Sequence, residues 1–500
     1  MQHGARQLKR SFGHFFIGKA LSAGCSFALL IILARTLSKS DYAIYVTLQA
    51  MVLTVSYFTS FGINQTVLRY APELRAGGQH AALYRLIWRS LRTLGLVTGA
   101  GFAVLAVALP CLSVWFGFQE REGWVLLYLV AGLFRLMGFF LSRVMEALLW
   151  QKISQYSLAA SAVGKLTLVL LLAGSGHFGL PVLVGIELAV EAATLLVLVL
   201  GLRRKIARDP LRDAGHPGWL AQHRSRMQAY GRWTYMATLF SLFSSSSPYR
   251  LLAASMLASD STALLGFVYG VTDMLYRLMP ANLGQVVIRS VLVARQTDGE
   301  RPERLVAWLS LSLRINATLL GLFVLGSAAL GDSAAGALTA GKYRDAGLLL
   351  AVMGCVQLLD MLRLQMETFA QITEHASWTL YGNVALAAGI VAAVLSVRSL
   401  GCWALPLGAG IGQLAAIAVY HAGLARLGTG HIVNTRILLF LVLAGLAAAA
   451  LRLLSSGHPW WLMACAALAL GLLLLVAIRP FHFGEWRALR VKDPHTPPSP

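Results

Sequence analysis

Residues 124–145 read WVLLYLVAGLFRLMGFFLSRVM, and this stretch shows the pattern that decides the fold. Apart from two arginines it is almost wholly apolar, and at about 1.5 Å per residue a helix of this length crosses the hydrocarbon core of a bilayer. Backbone groups that face lipid must find partners within their own segment. The stretch is therefore predicted to be a transmembrane helix.

Similar stretches recur along the whole chain, and about fourteen of them are long enough to span a membrane. They are predicted at residues 15–34, 43–64, 93–116, 124–145, 156–174, 178–202, 233–256, 263–288, 308–330, 346–366, 377–397, 402–424, 436–454 and 460–479. The composition agrees, because 57% of the 500 residues are hydrophobic and 13% are charged. So little polar surface excludes a soluble globular protein. The sequence predicts an all-α, polytopic membrane protein.

The net charge of +21 comes from lysines and arginines in alternate connections between the spans. They cluster before the first span and after the second, sixth and eighth, whereas the connections in between are nearly neutral. The positive-inside rule then places both termini in the cytoplasm. Basic loops on that side meet anionic lipid headgroups, so membrane lipids are expected partners and nucleic acid is not.

The remaining composition gives no sign of a metal or another cofactor. The five cysteines stand singly, without CxxC spacing or a nearby histidine cluster, so neither a metal site nor structural disulfides are expected. No nucleotide-binding GxxxxGK[ST] motif occurs. A basic arm precedes the first span as in a signal peptide, but no convincing cleavage site follows, so that span is predicted to be retained.

Weak internal similarity at an offset of about 221 residues suggests a duplication. Leu126–Gly132 resembles Leu348–Gly354, and Met145-Glu146 matches Met366-Glu367, although chance similarity among Leu-rich segments is the alternative.

A duplication predicts six-helix bundles at 1–202 and 232–427, a basic cytoplasmic linker at 203–231, two extra transmembrane helices at 428–480 and a disordered tail at 481–500. An even number of spans per bundle implies a pseudo-twofold axis along the membrane normal, and transporters of this kind bind substrate near the bilayer midplane.

The first hundred residues resemble a known family. The resemblance lies in Leu33-Ala34-Arg35-Thr36-Leu37-Ser38, Asp41-Tyr42-Ala43-Ile44-Tyr45, Gly62-Ile63-Asn64-Gln65 and Arg69-Tyr70-Ala71-Pro72-Glu73-Leu74. These residues are similar to the N-terminal signature of bacterial Wzx-type polysaccharide flippases, of the multidrug/oligosaccharidyl-lipid/polysaccharide exporter superfamily. Ala43 departs from it, because such proteins usually carry Gly there.

This resemblance implies a transport function rather than an enzymatic one. The implied substrate is an undecaprenyl-diphosphate-linked oligosaccharide, moved by alternating access from the inner to the outer leaflet of the bacterial plasma membrane during synthesis of O-antigen or exopolysaccharide. A polysaccharide polymerase or other assembly proteins would be its protein partners. The sequence does not identify the glycan repeat unit or the coupling ion.

Ionisable residues inside spans cost at least ~2.5 kcal/mol each, so each is a functional candidate. The candidates for binding the anionic diphosphate and its surroundings are Lys19, Arg69, Arg135, Asp273, Arg277, Arg289, Asp360 and Arg363. Lys19 is equally consistent with snorkelling to the headgroups, and Arg69 and Arg289 are consistent with the positive-inside rule alone.

Spacing places several charges on common helix faces. Asp360, Arg363 and Glu367 lie at i, i+3 and i+7, which places them on one face. Asp273 lies one turn before Arg277, in a span that Pro280 and Gly284 should break. Arg135 and Glu146 are about three turns apart with Arg143 between them. For Arg143, Glu146 and Glu367, ion pairing near the cytoplasmic helix ends is the alternative to a functional role.

Glu187 and Glu191 stand one turn apart near the middle of a span, and Lys165 lies in the middle of the preceding span. Together they predict a buried charged cluster that couples transport to an inward flow of protons or sodium, because two close carboxylates cannot both ionise cheaply in low dielectric. Neutral carboxyls that merely pack are the alternative.

Two other functions compete. A membrane glycosyltransferase or polymerase of the same pathway would need a large outer loop or an acidic donor-binding motif, and the sequence has only short outer loops and no Asp-x-Asp or Glu-x-Asp motif. The second competing function is that of a multidrug exporter of the same superfamily. Cationic residues within the spans disfavour an exporter of cationic compounds, because they would repel its substrate.

Overall fold

The computed structural model describes residues 2–174, 178–208, 219–280, 302–372, 375–426, 435–455 and 459–478. Within these ranges the structure consists of α-helices and short 3₁₀-helices joined by brief turns, without a β-strand. The chain forms two compact units, Met1–Val271 and Thr272–Pro500. The predicted tail at 481–500 and the predicted substrate residue Arg289 lie outside the described residues.

The first unit contains the helices α1 (Gln2–Thr36), α2 (Lys39–Thr59), α3 (Ile63–Ala76), α4 (His80–Val107), α5 (Leu109–Phe116), α6 (Glu122–Ala147), α7 (Gln151–Ala173), α8 (Leu180–Arg208), α9 (Trp219–Gln222), α10 (Arg224–Ser241) and α11 (Ser246–Met256), and most of α12 (Ser259–Leu278). The second unit contains α13 (Pro302–Leu338), α14 (Ala346–Ile372), α15 (Ala376–Ala385), α16 (Ala387–Leu400), α17 (Ala404–Arg426), α18 (Thr435–Ser455) and α19 (Trp460–Ile478).

The described residues include 11 helical segments that are long and apolar enough to cross a membrane. One of them, Ser377–Arg426, is 50 residues long and turns back at Gly401, whose φ of 55° favours glycine, so it holds two crossings. The predicted all-helical, polytopic membrane protein is confirmed. Many segment bounds match the sequence expectations, as in Gly18–Thr36 for the first span predicted at 15–34, but the span predicted at 93–116 is found at His80–Val107.

Two predicted spans, 233–256 and 263–288, have no counterpart among the 11 segments. The span predicted at 233–256 is broken between α10 and α11 by a 3₁₀ turn at Leu242–Ser244 and an extended Ser245. Pro248 follows in the first turn of α11, where its missing N–H is tolerated. The span predicted at 263–288 begins as α12, which ends at Leu278, two residues before Pro280.

In the first unit, α8 packs against both α6 and α7, and α7 also packs against α1. Small residues permit these close contacts. A Cβ atom at Gly18 of α1 would lie 2.8 Å from Cβ of Gln155, and one at Gly201 of α8 would lie 2.9 Å from Cγ2 of Ile153. Such small-residue contacts are the usual means of close helix packing in membranes. They let α1 and α8 approach the beginning of α7 closely.

In the second unit, α14 packs against α13 and α17, and α17 packs against α16. Two glycines on α17 permit the contact with α16. A Cβ atom at Gly408 would lie 2.6 Å from the carbonyl oxygen of Gly389, and one at Gly412 would lie 2.8 Å from that of Leu386. The backbones of α16 and α17 therefore touch, which fixes the position of α17 beside α14.

Candidate functional site

The largest buried charge cluster that the structure describes lies in the first unit and comprises Arg135, Lys165, Glu187 and Glu191. We call it the four-charge cluster. Lys165 Nζ lies 2.8 Å from Glu187 Oε2 and 2.6 Å from Glu191 Oε1. Arg135 Nε lies 2.8 Å from Glu191 Oε1, and Arg135 Nη2 donates to Glu187 Oε2. Each carboxylate therefore contacts both cations.

Two tyrosines complete the polar contacts of this cluster. Tyr45 Oη, from α2, donates a 2.9 Å hydrogen bond to Glu187 Oε1. Tyr128 Oη, on the same face of α6 as Arg135, accepts a 3.2 Å hydrogen bond from Arg135 Nη1. The two rings meet edge to face with centroids 6.0 Å apart, and the Arg135 guanidinium lies 5.6 Å from the centre of the Tyr128 ring. Helices α2, α6, α7 and α8 are thus joined by one polar network.

Helix periodicity explains why the residues converge. Glu187 and Glu191 are four residues apart on α8, and Tyr128 and Arg135 are seven apart on α6, so each pair lies on one face of its helix. The packing of α8 against α6 and α7 turns these faces toward Lys165. The sequence prediction that Lys165, Glu187 and Glu191 come together is confirmed.

The two positive and two negative charges of the cluster sum to zero, and this balance matters because the side chains are buried. The side chains of Glu187, Glu191 and Lys165 are 3%, 10% and 13% exposed, and that of Arg135 is 24% exposed. Desolvated charges persist in low dielectric only when they are paired and hydrogen-bonded. Two cations on each carboxylate favour ionised pairs over the alternative of neutral, packed carboxyls.

A second buried cluster lies in the second unit, and α14 supplies three of its charges, Asp360, Arg363 and Glu367. Arg363 Nη2 lies 2.8 Å from Asp360 Oδ1, and Arg363 Nη1 lies 2.5 Å from Glu367 Oε2. Arg363 Nε also donates to Gln413 Oε1 of α17 at 2.9 Å. The face predicted from the i, i+3, i+7 spacing is confirmed, with Arg363 only 5% exposed. We call this the α14 cluster.

Four other predicted substrate residues lie on α1, α3 and α12. Lys19 is half-buried on α1. Arg69 is half-exposed on α3 and lies 3.1 Å from Glu73, with its guanidinium 5.7 Å from the centre of the Tyr70 ring. Asp273 is half-buried and Arg277 exposed, one turn apart on α12.

Arg135 and Glu146 share α6 but belong to separate contacts. Glu146 Oε1 accepts a 2.8 Å hydrogen bond from Gln155 Nε2 of α7 and a longer one, of 3.4 Å, from Ser154 Oγ. Arg143, between them in sequence, is exposed and lies over the Phe139 ring, 5.1 Å from its centre. The three charges predicted on one helix are therefore distributed over three environments.

Sequence reasoning missed Tyr45, Tyr128 and Gln413. Tyr45 belongs to the quoted family signature, but nothing in that motif indicates a buried carboxylate partner 142 residues away. Tyr128 lies two turns before Arg135 on the same face of α6, a spacing that signals a shared environment. Gln413 lies on the Gly-rich helix α17, where the signal in the sequence is a single amide side chain among apolar residues.

Structural comparison places the fold. The chain is similar to the lipid II flippase MurJ in an inward closed conformation, with a TM-score of 0.68 and 10% identity over 94% of this chain and 97% of MurJ. It is similar to a MATE-family multidrug resistance transporter of the MOP superfamily in an inward-facing conformation, with a TM-score of 0.62 and 15% identity over 82% and 94% of the two chains.

A third similarity is to a MOP superfamily transporter from Pyrococcus furiosus, with a TM-score of 0.55 and 13% identity over 84% of this chain and 96% of that one. No protein-family model and no curated protein sequence matches the chain. The molecule is a multi-pass membrane protein. Its fold is that of the MOP-superfamily transporters.

Proposed function

We propose that this protein is a flippase that moves an undecaprenyl-diphosphate-linked oligosaccharide across the bacterial plasma membrane by alternating access. The observation that carries the proposal is the fold shared with the lipid II flippase MurJ over 94% of the chain. The N-terminal resemblance to polysaccharide flippases, from Leu33 to Leu74, narrows the substrate class from a lipid in general to a lipid-linked glycan.

Intramembrane cations suit such a substrate, because its diphosphate is anionic along the whole crossing. Lys19, Arg135 and Arg277 are the cations that we assign to substrate binding. Arginine binds phosphate oxygens with two parallel hydrogen bonds, which adds geometric selectivity to the charge. Changing each of the three to Ala, at equal membrane abundance, should reduce glycan export, and exchange between Lys and Arg should retain part of it.

Multidrug export is the second candidate, because MATE transporters share this fold. Vesicles reconstituted with the full-length protein separate the two functions. A fluorescently labelled polyisoprenyl-diphosphate oligosaccharide is incorporated, and an impermeant reductant bleaches the outer leaflet. If the protein flips the lipid, the reductant bleaches a larger fraction of the label than it does in protein-free vesicles. A matched set of vesicles receives the cationic dye rhodamine 6G instead.

The flippase proposal expects rapid bleaching of the glycan lipid and no dye transport. Dye transport without flipping would support the multidrug exporter and overturn the flippase. A labelled polyisoprenyl monophosphate serves as the control for the diphosphate, and its slower flipping is expected if the charge is recognised.

The proposed orientation has both termini in the cytoplasm, on the basis of the alternating basic connections. Reporter fusions at Arg212 and at the C-terminus should therefore report the cytoplasm, and a fusion near Asp332 should report the outside. An outside signal at Arg212 would overturn this topology.

A further inference from the structure

A small cavity lies among α2, α5, α11 and α12 in the first unit, and its lining residues include no member of the four-charge cluster. Its volume is about 250 Å³. The buried part of its wall is formed by Ala43, Ile44, Thr47 and Thr262. A space of this size has the volume of about eight water molecules at ~30 Å³ each, which matches one sugar ring and excludes a longer oligosaccharide.

The hydroxyl groups that line the cavity offer acceptors to a ligand. Thr47 Oγ1, Ser255 Oγ and Thr262 Oγ1 donate their hydrogens to backbone carbonyl oxygens, at 2.7, 3.2 and 3.0 Å. A hydroxyl that donates in this way keeps its oxygen lone pairs as acceptors. The exposed hydroxyls of Ser40 and Ser259 can donate or accept. Sugar hydroxyls, which donate, suit these oxygens, whereas an ionised phosphate, which only accepts, does not.

The charged side chains beside the cavity are paired with one another. Lys39 Nζ lies 2.8 Å from Asp260 Oδ2, and the guanidinium of Arg121 donates to Asp41 Oδ1. Lys39, Asp41 and Asp260 adjoin the cavity serines in sequence. The charges of the two pairs sum to zero, so this region presents no net charge to an ionic ligand and favours a neutral polar one.

Trp115, in the last turn of α5, also lines the cavity and is 70% exposed. The face of an indole ring carries partial negative charge and attracts the polarised C–H groups on the face of a pyranose. An exposed tryptophan beside hydroxyl acceptors therefore suits a sugar, which offers both an apolar face and donors. A tryptophan anchored at the membrane interface is the alternative. Trp124, 41% exposed in the first turn of α6, allows the comparison because it does not line the cavity.

We propose that this cavity binds one neutral pyranose ring of the glycan at the outer face of the membrane. This inference rests on the proposed function, which supplies the lipid-linked oligosaccharide and the orientation that places the start of α2 outside. The ring stacks on Trp115, and its hydroxyls donate to the oxygens of Thr47, Ser255 and Thr262. The protein thus contacts the sugar on the side where the oligosaccharide is released.

The test measures sugar binding to the purified full-length protein in phospholipid nanodiscs, prepared without glycoside detergents because these would compete. Saturation-transfer difference NMR, which detects weak binding, is recorded with the methyl pyranosides of glucose, galactose, mannose, rhamnose and N-acetylglucosamine. Saturable binding of at least one is expected. Methyl phosphate and tetramethylammonium are the anionic and cationic probes. Absence of binding by every pyranoside overturns the proposal, and so does binding of an ionic probe that Trp115→Ala abolishes.

Variants with unchanged unfolding midpoints locate the site. Trp115→Ala should raise the Kd of the bound pyranoside about 2- to 10-fold, because one aromatic contact is lost, and Trp115→Phe should raise it less. Ser40→Phe places a ring at the cavity and should abolish detectable binding. Trp124→Ala is the control and should change the Kd by less than about twofold. Equal effects of the two Trp→Ala variants would assign both side chains to the membrane interface and overturn the site.

Failure of this inference and failure of the proposed function are distinguishable. Vesicles that flip the glycan lipid while no pyranoside binds refute the sugar site alone. Pyranoside binding that depends on Trp115, in a protein whose vesicles do not flip the glycan lipid, supports the sugar site and refutes the function.

Discussion

The four-charge cluster and the α14 cluster are both buried and ionic, but they are built differently. The four-charge cluster draws its charges from α6, α7 and α8, and its two cations balance its two carboxylates. In the α14 cluster, Arg363 forms ion pairs with acidic residues three residues before and four residues after it on the same helix. The ion pairs of the first cluster join helices, whereas these ion pairs of the second cluster lie within one helix.

This difference has a consequence for function. A change of partner in the four-charge cluster alters the contacts between three helices, so it can be transmitted to their packing. In the α14 cluster, the ion pairs of Arg363 with Asp360 and Glu367 join residues of one helix, and its hydrogen bond to Gln413 reaches α17. The four-charge cluster is therefore the better candidate for coupling ion binding to helix movement.

The largest expected effect is on the stability of the first unit. Glu187→Ala leaves Arg135 and Lys165 facing a single carboxylate, and breaking a buried ion pair in this way costs ~3–5 kcal/mol. Thermal unfolding of the purified protein should show a large loss. The double variant Glu187→Gln, Lys165→Gln restores the charge balance and should recover most of it. Equal instability of the two variants would contradict the role assigned to charge balance.

A somewhat smaller loss is expected in the second unit. Arg363→Leu leaves Asp360 and Glu367 without their shared guanidinium, and we expect a cost of about 3 kcal/mol, the low end of the range for a buried pair. Water reaches these carboxylates, which are 11% and 14% exposed, more readily than it reaches Glu187. Arg363→Lys should lose less, because it keeps the charge. A loss for Arg363→Leu above that of Glu187→Ala would reverse the comparison.

The next expected effect concerns the contact between α16 and α17, the helix that carries Gln413. Gly408→Ala would place a methyl group 2.6 Å from a backbone oxygen of α16, which cannot move away cheaply, so α17 should shift at a cost of about 1–3 kcal/mol. Gly410→Ala is the control, because its Cβ would lie 3.7 Å from Val356, an ordinary contact. Unfolding midpoints that fall equally in both variants would argue against the close helix contact.

The smallest effect is expected at the edge of the four-charge cluster. Tyr45→Phe removes the hydrogen bond to Glu187 Oε1 and leaves the ion pairs in place, so the cost should be about 1 kcal/mol. Thermal unfolding of the purified variant should show this small loss of stability. A loss as large as that of Glu187→Ala would contradict the minor role assigned to this hydrogen bond.

The sequence predicted what depends on local spacing. Hydrophobic length located the spans, and the i, i+3, i+7 spacing predicted the α14 cluster, because helix periodicity alone decides which of those side chains meet. The cluster of Lys165 with Glu187 and Glu191 was also predicted, because the cost of isolated charges in lipid requires partners nearby.

What escaped prediction depends on how distant helices pack. Arg135 lies 56 residues before Glu191 and was assigned to substrate binding separately from the ion-coupling residues, and only the packing of α6 on α8 unites the two groups. The break at Ser245 had a local signal in the sequence, the four serines Ser244–Ser247 followed by Pro248. Hydropathy alone made 233–256 a single span.

The most direct test of the account is substrate-driven cation flux in vesicles that contain the purified protein. A polyisoprenyl-diphosphate oligosaccharide is presented on one side, and the movement of H⁺ or Na⁺ is recorded together with flipping. We expect an inward movement of H⁺ or Na⁺ as the lipid is flipped outward, and the loss of that flux in the Glu187→Gln, Glu191→Gln double variant. Flipping by this double variant with an unchanged response to pH and sodium would show that the four-charge cluster is structural and that coupling occurs elsewhere.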